Sequence, residues 1–228
     1  MKPWQVKSWV IPKAGADFIC HMEAVLDVYE RPYDAAHPVV NLDESPKQLI
    51  SEVLKTFTDS KGQSYQDYEY VREGVVSMYM IAQALGGRRE VLVEEDHTSL
   101  TYAKVIAHIV EDMYPEAEKI TIVEDNLSAH KLAALYELYQ PERARNIIKK
   151  LEVVPTPKHG SWLNIAECEL SVLARQGIGK RVPDKETLLK QVDNWVNQRN
   201  KNQKKVNWQF TTPQARIKLK RLYPTISV

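Results

Sequence analysis

Three carboxylates of this 228-residue chain lie in segments whose side chains could converge. Asp43 and Asp125 each follow a short run of apolar, β-branched residues, and Glu167 lies in a segment of helical periodicity. Ionised carboxylates are costly to cluster unless a cation neutralises them, so converging acids suggest a hard divalent ion such as Mg²⁺ or Mn²⁺. Two such ions, about 3.5–4 Å apart, can hold the attacking and leaving oxygens of a phosphodiester during displacement. These residue types therefore indicate metal-dependent phosphodiester chemistry.

Neighbouring acids compete with these candidates. Glu44 and Glu124 adjoin the two aspartates, and Glu169 lies on the same predicted helix as the candidate glutamate. Because side chains alternate along a strand, Asp43 and Glu44 should point to opposite faces, as should Glu124 and Asp125. Only one member of each pair can then enter a site. Taken singly, an acid at a strand end is more often a solvated turn residue, so spacing alone leaves these alternatives open.

The segments around the first aspartate have readable patterns. Residues 19–30 repeat apolar side chains every three or four positions, which predicts an amphipathic helix. Residues 37–43 form an apolar run followed by Ser45-Pro46, which predicts a buried strand ending at Asp43. Residues 46–67 mix charged, glycine and hydroxyl residues without a period, and this predicts a loop or short helix.

The rest of the chain alternates strands and helices. A double glycine, Gly86-Gly87, between the apolar runs 74–82 and 90–93 predicts a β-hairpin. A strand that delivers Asp125 is predicted at 119–126. The other predicted elements are helices at 98–114, 130–139, 141–150 and 161–176 and a strand at 151–154. This order implies an α/β fold with a mixed sheet flanked by helices.

Composition limits the classes of protein. The chain has 43% apolar residues, enough for a full core, and its formal net charge of +1 gives no indication of a nucleic-acid partner. Cys20 and Cys168 lack the spacing of a zinc site. No apolar run is long enough to cross a bilayer, and the first residues lack the apolar stretch of a signal peptide. We therefore expect a soluble, intracellular protein without a membrane partner.

Positive charge is concentrated near the C-terminus. Residues 197–222 contain no acidic residue, and Trp208 and Phe210 lie among the basic side chains. The basic residues are Arg199, Lys201, Lys204, Lys205, Arg216, Lys218, Lys220 and Arg221. Basic side chains interleaved with aromatic ones can follow a phosphate backbone, although a solvated helix and loop is the commoner origin of such a pattern.

Three ordered motifs surround the candidate acids. They read VNLDESP at 40–46, IVEDNLSAH at 122–130 and PKHGSWLNIAE at 157–167. Together they resemble the motifs of the mariner-type transposase superfamily, and most closely its bacterial insertion-sequence branch of DDE superfamily endonucleases. The resemblance covers nearly the whole chain, including the ending RIKLKRLYP at 216–224. It implies a ribonuclease H-like fold, with a mixed five-stranded sheet flanked by helices and a helical, basic C-terminal tail.

The resemblance also implies an activity. Asp43, Asp125 and Glu167 would be the catalytic, metal-binding triad, on the first strand, the fourth strand and a late helix, and would hold two Mg²⁺ or Mn²⁺ ions. Similar proteins hydrolyse a phosphodiester at the element end and then use the freed 3′-hydroxyl to attack target DNA. The expected partners are DNA and a second copy of the chain in a dimer on DNA. We expect no small-molecule substrate and a location in the bacterial cytoplasm, associated with the nucleoid.

The matched motifs contain further candidates. Asn126, His130 and Asn164 could support the triad by holding a loop or hydrogen-bonding a carboxylate. Lys158 and His159 precede the helix of Glu167, where a phosphate could meet a helix amino terminus, and Ser161 is the expected cap of that helix. The expected DNA contacts in the tail are Lys204, Lys205, Arg216, Lys218, Lys220 and Arg221. For each, a turn, cap or solvated position is the alternative.

The expected domain organisation has three parts. Residues 1–36 would be a linker and helix, residues 37–182 the catalytic domain and residues 183–228 a helical basic extension. Members of the superfamily normally carry amino-terminal helix-turn-helix modules that read the element ends. Nothing before Asp43 predicts such a pair of helices, so we expect a catalytic domain without them, from a fragment or a split or decayed element.

Three other interpretations remain open. The first is a different nuclease of the same fold, acting on branched or hybrid duplexes, which the sequences of the three motifs disfavour. The second is a noncatalytic or inhibitory remnant that binds DNA or an intact transposase, which the presence of all three acids disfavours. The third is a structural or interaction domain, which would show no coupling between divalent ions and DNA binding.

Overall fold

The computed structural model describes residues 15–54, 57–65 and 68–224. The predicted linker at residues 1–14 lies outside the described residues. The α-helices are α1 Ala16–Tyr29, α2 Ser99–His108, α3 Leu135–Leu138, α4 Pro141–Lys149, α5 Ile165–Gln176, α6 Lys185–Lys201 and α7 Thr212–Lys218. The strands are β1 Val39–Glu52, β2 Phe57–Thr58, β3 Ser64–Tyr65, β4 Tyr70–Gln83, β5 Arg88–Glu94, β6 Ile120–Glu124 and β7 Leu151–Pro155. Short 3₁₀ turns occur at Leu132–Ala134, Ser161–Leu163 and Lys220–Leu222, and α2 continues into a π-helical turn, Ile109–Met113.

Five strands form one mixed sheet in the order β5-β4-β1-β6-β7. The β1–β4 and β4–β5 pairs are antiparallel, whereas β1–β6 and β6–β7 are parallel. The predicted α/β fold with a mixed five-stranded sheet is confirmed. The predicted β-hairpin is also confirmed, and its turn contains Gly87 at φ +70°, a conformation that favours glycine.

The first strand is longer than its sequence predicts. We expected it to end at Asp43, but β1 continues to Glu52, and residues 46–52 therefore form a strand instead of the predicted loop or short helix. Pro46 is tolerated because β6 pairs only with residues 39–41. Beyond that point β1 has a hydrogen-bonded neighbour on the β4 side alone, as on an edge strand. Asp43 consequently lies within a strand, two residues past its last pairing with β6.

Beyond the sheet, β1 and β4 extend into an arm, residues 50–75, that carries the small β2–β3 hairpin. This arm exposes many large apolar side chains among the described residues. They are Val53, Leu54, Phe57, Tyr65, Tyr68, Tyr70, Val71 and Val75, with exposed fractions from 43% to 86%. Contiguous exposed apolar surface of this kind marks interaction sites more often than solvent-facing structure.

Helices cover both faces of the sheet. On one face, α2, its π-helical turn, α3 and α4 pack on the even-numbered side chains of β1 and β6, such as Leu42 and Ile122. On the other face, α5 and α6 pack on β4 and β5, and α1 packs near the β6 and β7 side with α7. The C-terminal extension thus contributes buried residues to the core that supports the five-stranded sheet, while the boundary expected at residue 182 stays a prediction.

Both helices that enclose the candidate site begin with side-chain caps. The Thr98 hydroxyl accepts a hydrogen bond from the Thr101 amide at the start of α2. Asn164, rather than the expected Ser161, caps α5, because a 3₁₀ turn occupies residues 161–163 and the α-helix begins only at Ile165. Among the helices of the described residues, none is long and apolar enough to span a membrane.

Candidate active site

The three candidate acids come from separate elements and act electrostatically on one another. Asp43 projects from β1, Asp125 is the first residue after β6, and Glu167 lies exposed in the first turn of α5. Parallel strands β1 and β6 bring the two aspartates to the same end of the sheet. Glu167 also benefits from the positive end of the α5 dipole.

Asp43 carries the clearest sign of this convergence. Burial, reinforced by the negative charges of Asp125, Glu44 and Glu167, raises the pKa of Asp43 to about 7. Its Oδ1 accepts a 2.9 Å hydrogen bond from the Glu44 amide, which partly offsets the rise. A carboxylate in this position is held in a field that favours a bound cation.

Asp125 has a mixed environment. Burial and the charges of Glu44 and Glu167 raise its pKa, and the imidazole of His130 opposes them. Its Oδ1 accepts a 3.2 Å hydrogen bond from the Leu127 amide and lies 3.2 Å from His130 Nδ1. With 39% of the side chain exposed, Asp125 keeps a free surface toward solvent.

His130 organises the far side of the site. Its Nε2 lies 3.1 Å from Glu44 Oε2 and its Nδ1 lies 3.1 Å from the Asp125 carbonyl oxygen. Its ring stacks on Tyr102 at a centroid distance of 4.6 Å. Burial opposes the charged imidazolium, but Glu44 and Glu124 outweigh burial and raise the pKa of His130 to about 9. The histidine expected to support the triad therefore lies between Glu44 and Asp125, where the neighbouring carboxylates favour its protonated form.

The acids beside the two aspartates have partners of their own. Glu124 is buried and accepts 3.0 Å hydrogen bonds from the Tyr102 hydroxyl on the α2 face, and burial raises its pKa to about 7. Glu44 faces His130 on the same side of the sheet. The expected alternation holds for the first pair, since Asp43 lies on the α5 face, in register with Met80 of β4, and Glu44 faces His130. For the second pair it stays a prediction, because Glu124 Oε2 and Asp125 Oδ1 lie 3.9 and 3.2 Å from the same His130 nitrogen.

Asn164 ties the start of α5 to β1. Fully buried, it donates a 2.9 Å hydrogen bond to the Leu42 carbonyl and accepts one of 3.0 Å from the Ala166 amide. The Tyr29 hydroxyl adds a second tie, lying 2.7 Å from the Leu163 carbonyl and next to Asn41 of β1. These contacts fix the distance between the strand of Asp43 and the helix of Glu167. Asn126, by contrast, is exposed.

The remaining neighbour, Glu169, is engaged elsewhere. It is 3% exposed and binds both Arg89 and Arg199 at 2.8–2.9 Å. A carboxylate paired with two guanidinium groups has no free oxygen for a metal ion. The alternative of Glu169 as a ligand is thereby disfavoured on geometry.

The candidate DNA contacts lie in different environments. Lys158 and His159 are exposed in a loop, where His159 has φ +65°, but five residues separate them from α5, whose start is capped by Asn164. They do not lie at the helix amino terminus as expected. All six candidate contacts of the tail are exposed: Lys204, Lys205, Arg216, Lys218, Lys220 and Arg221. Lys218 approaches the ring of Phe210 at 5.7 Å.

Arg216 and the tail aromatics face the domain itself. The Arg216 guanidinium forms two hydrogen bonds of 2.9 and 2.7 Å with Glu23 of α1. Trp208 packs on Tyr29 at 5.3 Å, and Phe210 lies near Trp162. These side chains hold the tail on α1, so the basic surface available to DNA is smaller than the sequence suggests.

The metal site is not preformed. In the described part of the chain, no group of three or more His, Cys, Asp or Glu side chains is arranged to hold an ion as it stands. The donor set itself, carboxylate oxygens alone, suits hard divalent ions.

Comparison with known protein families shows to which family this chain belongs. The family model of DDE superfamily endonucleases matches residues 38–189. The chain belongs to the DDE superfamily endonucleases. The match contains Asp43, Asp125 and Glu167, and the family resemblance of the three motifs is confirmed. No curated protein matches the chain.

Solved structures of a mariner transposase share the fold of this DDE endonuclease domain. The Mos1 mariner paired end complex with Mn matches with a TM-score of 0.55 and 15% identity, covering 87% of this chain and 61% of that chain. The mariner Mos1 paired end complex with Mg gives a TM-score of 0.54 and 15% identity, covering 95% and 64%. The chain therefore spans less than two thirds of the length of these relatives. The predicted ribonuclease H-like fold is confirmed by these matches.

Proposed function

We propose that this DDE endonuclease domain is a transposase catalytic domain that hydrolyses phosphodiesters at element ends and joins the freed 3′-hydroxyl to target DNA. Asp43, Asp125 and Glu167 are the proposed catalytic and metal-binding residues. The single observation that carries the proposal is the electrostatic coupling of three acids separated by 82 and 42 positions in sequence. Such like-charge convergence lowers the stability of the folded protein, and a bound divalent cation would relieve it.

Mg²⁺ or Mn²⁺, two ions per site, are the proposed cofactors, because carboxylate oxygens suit hard divalent ions. The structural matches include complexes solved with Mn and with Mg. When bound, such ions stabilise negative charge on the oxygens of the phosphodiester under attack. The chain's own residues would orient them: Asn164 holds the helix of Glu167 against β1, and His130 holds the loop after Asp125. Binding would draw the three carboxylates together from their separated positions.

DNA is the proposed partner. Lys204 and Lys205 are exposed, adjacent and free of acidic neighbours, and Lys158 and His159 lie on the loop before the 3₁₀ turn that leads to α5. Basic side chains on exposed loops can bind phosphates without reading sequence. We assign sequence reading to other modules, as in the wider superfamily.

We also infer a homodimer on DNA. The apolar arm at residues 50–75 supports this, because its exposed aromatic and aliphatic side chains need a covering partner. Its sequence carries five acidic and three basic residues, which disfavours DNA as the covering surface. Replacing Val53 and Tyr68 by serine should leave the fold unchanged and abolish any dimer that the wild-type chain forms on DNA, measured by analytical ultracentrifugation. A dimer that survives these changes would refute the assignment of the arm.

Nicking of supercoiled plasmid tests the proposed function. The purified chain is incubated with Mg²⁺ or Mn²⁺ beside Asp125→Asn and a control, Asp193→Asn, whose carboxylate is exposed on α6. We expect metal-dependent nicking by the wild type and the control, and none by Asp125→Asn. All three proteins should unfold at closely similar denaturant concentrations.

Two outcomes would count against the proposal. Absence of nicking together with absence of magnesium binding by calorimetry would refute an intact active site and favour the noncatalytic or inhibitory remnant. Nicking that persists in Asp125→Asn would place the chemistry outside these acids.

A further inference from the structure

Glu169 forms a buried ion-pair cluster with Arg89 and Arg199, on the helix that carries Glu167. Both guanidinium nitrogens of Arg89 that face it lie 2.8 Å from its oxygens. Arg199 approaches the same carboxylate at 2.9 Å. The side chains of Glu169 and Arg89 are 4% and 1% exposed, and that of Arg199 is 21% exposed. Because breaking a buried charge pair leaves an uncompensated charge, these contacts fix the side of α5 on which they lie.

Glu169 and Glu167 face different sides of α5. Two positions along an α-helix correspond to a rotation of about 200°, so the buried glutamate points inward where the proposed ligand points outward. Glu167 is exposed and Glu169 is buried, in agreement with this rotation. A turn of α5 about its axis that moved Glu167 would therefore break the contacts of Glu169 with β5 and α6.

The same cluster holds the C-terminal segment. Arg89 also donates to the carbonyl of Lys204, and the Asn200 amide group bonds both the N–H and the C=O of Arg89 at 2.9 and 2.8 Å. Gly87 lies so close to the chain at Gln203 that an added Cβ would approach a backbone carbon at 3.2 Å. The backbone that presents Lys204 and Lys205 is thus attached to the partner of Glu169.

We propose that Glu169, through Arg89 and Arg199, is a positioning residue that sets the rotation of α5, and hence of Glu167, and makes it depend on docking of residues 199–205. The inference rests on the proposed function, because Glu167 matters only if it holds the ions. It adds a physical link between the proposed DNA contacts at Lys204 and Lys205 and the metal site. None of these three residues contacts the reacting atoms.

Arg199→Gln is the decisive variant. Glu169→Gln would leave two arginines without a counter-charge and would endanger folding, whereas Arg199→Gln leaves a neutral Arg89–Glu169 pair. Arg199→Lys keeps the charge but loses the planar guanidinium. The matched control is Arg143→Gln, which breaks a paired contact of Arg143 with Glu111 at 3.0 and 2.7 Å on the other face of the sheet.

Two measurements are compared. Hydrogen exchange of the α5 amides, without metal or DNA, should be about tenfold faster in Arg199→Gln than in wild type or control, as a destabilised local unit opens more often. The Mg²⁺ concentration for half-maximal nicking should rise about tenfold, the low end of the effect of losing a supporting residue. Arg199→Lys should recover part of both.

The outcomes separate this inference from the proposed function. Unchanged exchange in α5 and an unchanged Mg²⁺ requirement, with only global stability lowered, would overturn it and leave Arg199 a structural residue. If the wild type itself does not nick DNA, the proposed function fails, and the exchange of α5 still decides whether Glu169 sets the helix. Faster exchange confined to α6 would also overturn it.

Discussion

Replacing Asp43 by asparagine should stabilise the metal-free protein while abolishing its activity. The asparagine keeps the shape of the side chain and the oxygen that accepts from the Glu44 amide, and removes one negative charge from a crowded group. Function and stability are opposed at such a site because the charge that would bind an ion repels its neighbours until the ion arrives.

The magnitude follows from the pKa of Asp43. A rise from 3.8 to about 7 corresponds to about 4 kcal/mol, since each pKa unit is worth about 1.4 kcal/mol. Because the folded protein favours the protonated acid, the stability that this group contributes is complete below pH 4 and is lost as pH rises toward 7. Water reaches part of the side chain and the acids can move apart, so we expect Asp43→Asn to raise the free energy of unfolding by about 2 kcal/mol.

Urea unfolding of wild type and Asp43→Asn at pH 5 and pH 8, with and without Mg²⁺, gives the test. The free energy of unfolding of the variant should exceed that of the wild type by about 2 kcal/mol at pH 8 and by clearly less at pH 5. Millimolar Mg²⁺ should stabilise the wild type alone. Asp193→Asn, at an exposed position of α6, controls for the loss of a negative charge from the whole protein.

Either of two results would refute this reasoning. A stability gain that is the same at pH 5 and pH 8 could not come from the titration of Asp43. A variant that is less stable than the wild type at pH 8 would mean that the carboxylate makes stabilising contacts instead of opposing its neighbours.

Three further predictions follow from the contacts. Asn164→Ala should lower the free energy of unfolding by about 2–3 kcal/mol, since a buried amide and a helix cap are lost; a loss below 1 kcal/mol in urea unfolding would contradict its role. Burial opposes the charge of His108, yet two carboxylate partners raise its pKa, so His108→Gln should cost about 0.5 kcal/mol at pH 6 and nothing near pH 10. The double variant Lys204→Ala with Lys205→Ala should reduce the slope of log K for DNA binding against log salt concentration by about two. Arg216→Ala should leave that slope unchanged and lower the free energy of unfolding instead. Fluorescence anisotropy at several salt concentrations distinguishes the last two variants.

Local sequence determined much of the frame. The Gly86-Gly87 turn predicted the hairpin, and apolar periodicity predicted α1, α4 and α5 within a few residues of their observed ends. Periodicity reports which face of an element is buried, and this is a local property. The three motifs around Asp43, Asp125 and Glu167 likewise predicted the family from their order and their residues alone.

Several features of the sequence misled this prediction because their outcome depends on neighbours. Ser45-Pro46 predicted the end of the first strand, yet pairing with β4 extends it to Glu52, since proline needs only one unpaired edge. The expected DNA contacts of the basic tail stay a prediction, and the structure adds that one of them, Arg216, pairs with Glu23, a partner 193 positions away.

The sequence by itself determined the sheet class, the family and which acids are candidates. Only the tertiary structure decided which partners the adjacent acids have: Glu124 is bound by Tyr102, Glu44 by His130, and Glu169 by two arginines. The physical reason is that the partners of a carboxylate determine what else it can bind. Those partners lie on other elements, at separations that no local pattern of residues encodes.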